Sequence, residues 1–294
     1  LSFTALRKMI SADVQTWPDS RRQNSTVHSF HDVVMSGLAC MYFQEPSLLQ
    51  FQKEMEETFH QNNLRTLFGV QTIPSSNAMK DTLDNLDNKH FRPLSQKIVQ
   101  QLQRDKQLKQ FNLFPGWTVC SIDATQYHSS TSIHCDHCLT RKHNDGPTIY
   151  YHSALQAALM HPEIKQVIPV MAEPIQNSDG SRKQDCEINA AKRLIPALRQ
   201  QFPKMGLIIT GDDLFSRQPM IENVLSYKFH FFFVAKPSSH KFMMNWLDMH
   251  TLHEIQEVDT KGRLIIYQWL NNVPLHGGGD SVKVNFFSKK MVTL

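Results

Sequence analysis

The sequence predicts a mixed α/β fold, on three observations. First, two short apolar runs each end in acid: Val119-Cys-Ser-Ile-Asp123, and Leu207-Ile-Ile-Thr-Gly-Asp-Asp213. Runs of this length between turn signals read as buried strands. Pro115-Gly116 precedes the first of them, and a Ser/Thr cluster follows it. Second, the elements after residue 113 alternate as β-β-β-α-β-α-β-α, an order that favours a mixed sheet with helices packed on it. Third, the residues before that point carry helical spacing, and those after 250 alternate as strands.

In chain order, residues 1–30 are polar and poorly periodic, and Arg21-Arg22 reads as part of a solvated loop, with phosphate contact as the competing use. Val33, Val34, Gly37, Leu38, Met41 and Tyr42 fit a helix over 31–43. Glu45-Pro46 opens another, with Leu48, Phe51, Met55 and Phe59 as its apolar face. Two helices follow at about 77–87 and 93–109. The second is rich in Gln and Lys (Lys97, Arg104, Lys106, Lys109), so this amino-terminal third reads either as a DNA-binding module or as a helical cap with a wet face. From Phe114 the pattern turns to strands. After the Asp123 strand comes a His/Cys-rich loop, 134–145. Strands follow at 148–159 and 166–171, joined by a turn at His161-Pro162-Glu163. Three consecutive strands with short links suggest a meander. Asn177-Ser-Asp-Gly180 breaks the chain.

Residues 184–201 then form the best helix of the sequence, with Ile188, Ala191, Leu194, Ile195 and Leu198 on one face. The Asp212 strand spans 206–212. Next comes a helix with Ser216 as N-cap, then a strand at Phe229–Ala235, apolar enough for burial on both faces. A helix over 239–250 follows, and strands over 252–293 turn at Asp259-Thr-Lys-Gly262 and Gly277–Gly279. The expected division is 1–112 helical, 113–250 an α/β core, and 251–294 a β-rich insertion. An Asp ending the first core strand and another ending the fourth, roughly ninety residues on, is the RNase H-like layout. There the two strands lie side by side and the carboxylates meet.

Composition bounds the rest. Hydrophobic content of 40% and charged content of 20% are those of an ordinary soluble globular protein. No apolar run reaches eighteen residues, so no membrane span is expected. The start is too mixed for a secretory signal. This sets aside the Asn24-Ser25-Thr26 sequon. A net charge of +4 is compatible with nucleic acid without requiring it. Five cysteines in 294 residues do not make a disulfide framework and point to a reducing cytoplasm.

These residues resemble the DDE-type transposases of bacterial insertion sequences. The matching segments are Ser121-Ile-Asp-Ala-Thr-Gln-Tyr-His-Ser-Ser130, Ile133-His-Cys-Asp-His-Cys138, Thr148-Ile-Tyr-Tyr-His152, Val167-Ile-Pro169, Glu173-Pro174-Ile175, Asp185-Cys-Glu-Ile-Asn-Ala-Ala-Lys-Arg193, Asp212 with its flanks, and Val234-Ala-Lys-Pro-Ser-Ser-His-Lys-Phe242. They run in order over most of 31–290. The resemblance implies an RNase H-like catalytic domain, two Mg²⁺ or Mn²⁺ ions, and cleavage and joining of double-stranded DNA at element ends and target. It implies a cytoplasmic, nucleoid-associated bacterial protein, and it admits a homodimer.

Asp123 would bridge both ions and Asp212 would hold one. Asp213 competes with Asp212, because consecutive strand residues point to opposite faces. The family's third acid, a Glu, is expected on a helix after the β-rich tail. This chain begins with Leu and stops after a strand-like segment, so the expectation is a truncated transposase, inactive alone. Glu222, Glu254 and Glu257 sit in the wrong elements to replace that Glu; Glu187, heading the long helix, is given little weight. Two rivals stand beside this: another RNase H-like nuclease using the same aspartates, and a non-catalytic DNA-binding regulator.

Two further groups carry chemistry. Cys135-x-x-Cys138, beside His134, His137 and His143, is the half-site of a tetrahedral zinc centre. Cys186 and His152, distant in sequence, could complete it, and a reduced surface CxxC is the competing reading. Lys236, Lys241, His240, Arg182, Lys183, Lys192 and Arg193 are candidates for DNA phosphate contact, which positions a duplex without reading its sequence. Cys40 and Cys120 read as packing residues.

Overall fold

The computed structural model describes residues 2–22, 26–142, 145–177 and 183–292. The chain forms two compact units, Leu1–Lys109 and Gln110–Leu294.

The first unit is helical: α1 (Phe3–Val14), α2 (Phe30–Tyr42), α3 (Leu48–Met55), α4 (Thr58–Asn63), α5 (Ser76–Leu83) and α6 (Phe91–Arg104). The stretch 1–30, read as poorly periodic, carries α1 over Phe3–Val14, while Arg21 and Arg22 lie outside any helix as expected. Ser2 caps α1 by accepting from Ala5 N, and Val14 is buried at its end. The helix expected from Glu45 stops at Met55, so Phe59 falls on α4 and is exposed. The core gathers Val33, Met35, Phe51, Phe68 and Met79. Gly37 lets α2 and α5 approach, since a Cβ there would meet Leu83 Cδ1 at 2.8 Å. Buried Asp32 accepts from Gln71 N, Thr72 N and Thr72 Oγ1, satisfying a charge that burial would otherwise penalise. Of the cations on the Lys-rich helix, Lys97 is paired with Asp13.

The second unit is built on one mixed sheet. Its strands are β1 (Asn112–Phe114), β2 (Trp117–Ser130), β3 (Leu139–Lys142), β4 (Thr148–His161), β5 (Ile164–Ile175), β6 (Gly206–Gly211) and β7 (His230–Phe233). Strand β2 pairs antiparallel with β4, and β4 with β5. Strand β6 lies parallel between β2 and β7. The order β5-β4-β2-β6-β7 is the RNase H-like order, with the first and fourth core strands adjacent. Strands β1 and β3 are short additions on β2 and β4. Strand β3 corrects the reading of 134–145 as loop throughout.

Helix α7 (Glu187–Gln201) buries Ala190, Ala191, Leu194, Ile195 and Leu198. Each of the larger side chains is worth about 1.5–3 kcal/mol when removed from water. Arg199 locks its far end. Its guanidinium donates to the carbonyls of Tyr227, Phe202, Pro203, Met205 and Lys228 and sits 3.9 Å over the Phe229 ring. Helix α8 (Gln218–Ser226) follows Arg217, not Ser216, as its capping residue. Ser216 Oγ is instead bonded to Asp213 O and His240 Nε2. Strand β7 is a sheet edge and not buried on both faces: Phe232 is 61% exposed.

Helix α9 (Lys241–Asp248) leads into a separate antiparallel sheet of β8 (His253–Val258), β9 (Leu264–Pro274) and β10 (Lys283–Val292), ordered β10-β9-β8. Among the described residues no helix follows β10, and no helix is long and apolar enough to cross a membrane.

Candidate metal centre

Strands β2 and β6 run parallel in the register Cys120↔Ile209, Ser121↔Thr210. Asp123 and Asp212 each lie two residues beyond that last pair, so the two strands deliver a carboxylate to the same end of their parallel pairing, while β2 itself runs on to Ser130. Gly211 permits the approach, because a Cβ there would meet Phe215 at 2.7 Å and Ile122 Cγ1 at 3.3 Å. Both aspartates are exposed. Asp123 accepts from its neighbour Ala124 N, and Asp212 caps a short 3₁₀ turn by accepting from Leu214 N.

Asp213 is placed differently. It is buried, accepts from Lys236 N at 2.6 Å, and lies 3.7 Å from His240 Nε2. Burial alone would raise its pKa. The hydrogen bonds from Ser239 and Lys236 outweigh that and hold it below the ordinary range. Asp213 thus ties the 236–240 segment to β6, and Asp212 is the member of the pair that faces outward.

The third carboxylate at this end is Glu187, the first residue of α7. Its pKa is raised, first by burial and then by the negative charges of Asp212 and Asp123. It therefore senses both aspartates. The groups do not close to within 4.8 Å of one another, and among the described residues no lysine or arginine forms a salt bridge with any of them. An all-oxygen, all-anionic donor set suits Mg²⁺ or Mn²⁺ and would fit poorly with a soft metal. Sequence reasoning gave Glu187 little weight, although the signal was available: it opens the helix that leads into the Asp212 strand.

The basic candidates separate. Lys236 and Lys241 are exposed. His240 is not a surface group; it is buried against Ser216. Arg193 is already engaged, with Nε on Glu173 at 2.7 Å, Nη2 on Asp185 at 2.8 Å, and Nη2 also donating to Pro174 O. Lys192 is exposed. Arg182 and His143 lie outside the described residues.

A second cluster lies farther along β2 and β4. Cys135 Sγ and Cys138 Sγ are 3.8 Å apart, and each is 3.3 Å from His152 Nε2. These three ligand atoms lie within 4.8 Å of one another. Cys186 is exposed at the head of α7 and is not part of the group. Cys40 and Cys120 are buried, as their apolar runs predicted, and burial pushes the Cys120 thiol up to about 12.

No protein-family model matches the chain, and no curated protein does. Among solved structures the chain is similar to the cryo-EM structure of the piggyBac transposase synaptic complex with hairpin DNA, at 13% identity and a TM-score of 0.40. The match covers 97% of this chain and 60% of that one. What this chain does is therefore inferred from its own strand order and side chains.

Proposed function

We propose that the protein is a transposase-like DNA-processing enzyme whose Asp123, Asp212 and Glu187 hold divalent cations for phosphodiester chemistry. The observation that carries this is the delivery of Asp123 and Asp212 to one end of two adjacent parallel strands, with Glu187 electrostatically coupled to both. The segments shared with DDE transposases fall on these same elements. Mg²⁺ or Mn²⁺ bound there would activate the attacking oxygen and stabilise the leaving one.

The chain's own residues do the rest. Asp123 is held on β2 by pairing with β4, opposite Gln156, two residues past the last pair with β6. Asp212 is aimed by its 3₁₀ turn, which Asp213 anchors through Lys236 N. Lys236 and Lys241, exposed beyond that anchor, would meet DNA phosphates and set the duplex in place. Arg193 is set aside for that task, since two carboxylates already occupy it. The helical unit up to Lys109 remains the place for further DNA contact, with Arg104, Lys106 and Lys109 exposed.

The test is nicking of supercoiled plasmid DNA in Mn²⁺ or Mg²⁺ by the full chain. Metal-dependent nicking that disappears in Asp123→Asn and Asp212→Asn supports the proposal. Salt-sensitive DNA binding with no metal-dependent cleavage would instead make the protein a non-catalytic DNA binder. A requirement for paired element ends would separate a transposase from a general RNase H-like nuclease.

A further inference from the structure

Past Ser121, strand β2 leaves β6 and continues with β4 as far as Ser130. On this extension His128 stands directly opposite His152. The chain then turns, with Ser130 Oγ accepting from Ser132 N and Ile133 N, and brings Cys135 and Cys138 to His152. Cys138 N donates to Cys135 O, closing the turn, and Cys135 N donates to Cys138 Sγ.

The distances can be compared with a metal site. With Zn–S of about 2.3 Å and Zn–N of about 2.0–2.1 Å at tetrahedral angles, ligand atoms lie about 3.8 Å apart for two sulfurs and about 3.5 Å for sulfur and nitrogen. The protein places them at 3.8 Å and 3.3 Å. Three vertices of such a tetrahedron are therefore present. Two thiols and an imidazole are a donor set for zinc, unlike the oxygen-only set at Asp123 and Asp212.

We propose that this turn binds one structural Zn²⁺ through Cys135 Sγ, Cys138 Sγ and His152 Nε2, and that His128 is the fourth ligand. The imidazoles of His128 and His152 have centroids 5.8 Å apart. Two imidazoles on one tetrahedral ion would stand about 5 Å apart, so a small rotation of His128 closes the site. Among the described residues its Nε2 meets one long contact, 3.4 Å to Ile133 O. Of the described rival imidazoles, His137 has Nδ1 3.4 Å from Asn177 O, and the His134 ring stacks on Tyr150 at 4.2 Å. Four protein ligands leave no open position, which makes the role structural rather than catalytic. The ion would staple the two-stranded extension five residues beyond Asp123.

The experiment is metal analysis of the full chain purified without chelator, followed by zinc-edge X-ray absorption. One zinc per chain with two sulfur and two imidazole neighbours is expected. Titration of the metal-free protein with Co²⁺ should give a tetrahedral spectrum with sulfur-to-cobalt charge transfer. Cys138→Ser should lose that band. His128→Ala should weaken binding at least about tenfold, the lower end of what losing even an outer-shell partner costs, while His137→Ala leaves it unchanged. Failure to bind either metal with both thiols free, or a Cys135–Cys138 disulfide in the purified protein, overturns the site. One imidazole plus an oxygen in the absorption data, or an effect of His137→Ala in place of His128→Ala, overturns the fourth ligand. None of these readouts depends on DNA cleavage.

Discussion

The start of α7 stands between two groups of acids that meet opposite fates. On one side Glu173 and Asp185 share the guanidinium of Arg193, which reaches both at hydrogen-bond distance. On the other, Glu187 faces Asp123 and Asp212, and no basic side chain among the described residues pairs with them. The pKa values register the difference. Burial pushes the Asp185 carboxyl up, but Arg193 outweighs it and the net value is lowered. Burial also pushes Glu187 up, and there the neighbouring charges add to the rise. The first group is a finished structural network. The second gathers negative charge where β2 and β6 part, and in our proposal a cation from solution satisfies it.

The largest effect that sharpens this contrast is on activity. Asp123→Asn or Asp212→Asn should each lower Mn²⁺-dependent nicking by about 10²–10³, the scale for removing one electrostatic stabiliser of a reacting group. Arg193→Met should leave the rate per folded molecule within a few-fold. Stability should reverse the ranking. Arg193→Met removes the cation that two nearly buried carboxylates share and should cost about 2–3 kcal/mol in urea unfolding. Equal losses of activity in all three variants at matched folding would break the contrast.

A smaller effect separates the adjacent aspartates. Asp213→Ala removes the acceptor for Lys236 N and should cost about 2 kcal/mol. Asp212→Ala loses only a cap on an exposed turn, under about 1 kcal/mol. The smallest effect is in pH. In chelator, the raised Glu187 pKa means a contribution fully present below the ordinary glutamate value and lost as pH rises through the folded one. Glu187→Gln should therefore gain on wild type as pH climbs from about 4 toward neutrality, by a few tenths of a kcal/mol because partly exposed charges are screened. Asp185 has the opposite sign. Its contribution is present above the ordinary aspartate value and lost as pH falls through the lowered folded value, and Asp185→Asn should abolish that acid-side loss. Denaturation curves across pH read both.

Much of this was legible in residue patterns. Strands β2 and β6 announce themselves because each holds a short apolar run that must be buried, followed by an acid that must not be, although β2 does not end at Asp123 as expected but runs on to Ser130. That is enough to put Asp123 and Asp212 together once the β-β-β-α-β order is read. Other features were hidden for physical reasons. Helix α1 carries Phe3, Leu6, Ile10 and Val14 at helical spacing, but polar residues between them dilute the signal. Strand β3 is four residues with three exposed, an edge that owes its pairing to β4. The Phe run of β7 cannot say which face is covered, and the sheet edge leaves Phe232 in water. Glu187 drew little weight and His128 none, since in our proposals each acts with partners far away in sequence.

The most direct test of the central claim is Mn²⁺ binding followed by electron paramagnetic resonance, in wild type, Asp123→Asn and Asp212→Asn, with the cysteine site silenced by Cys135→Ser. The account predicts Mn²⁺ bound by the parent protein and lost, or weakened at least about tenfold, in either aspartate variant. Equal Mn²⁺ affinity in all three proteins would contradict it.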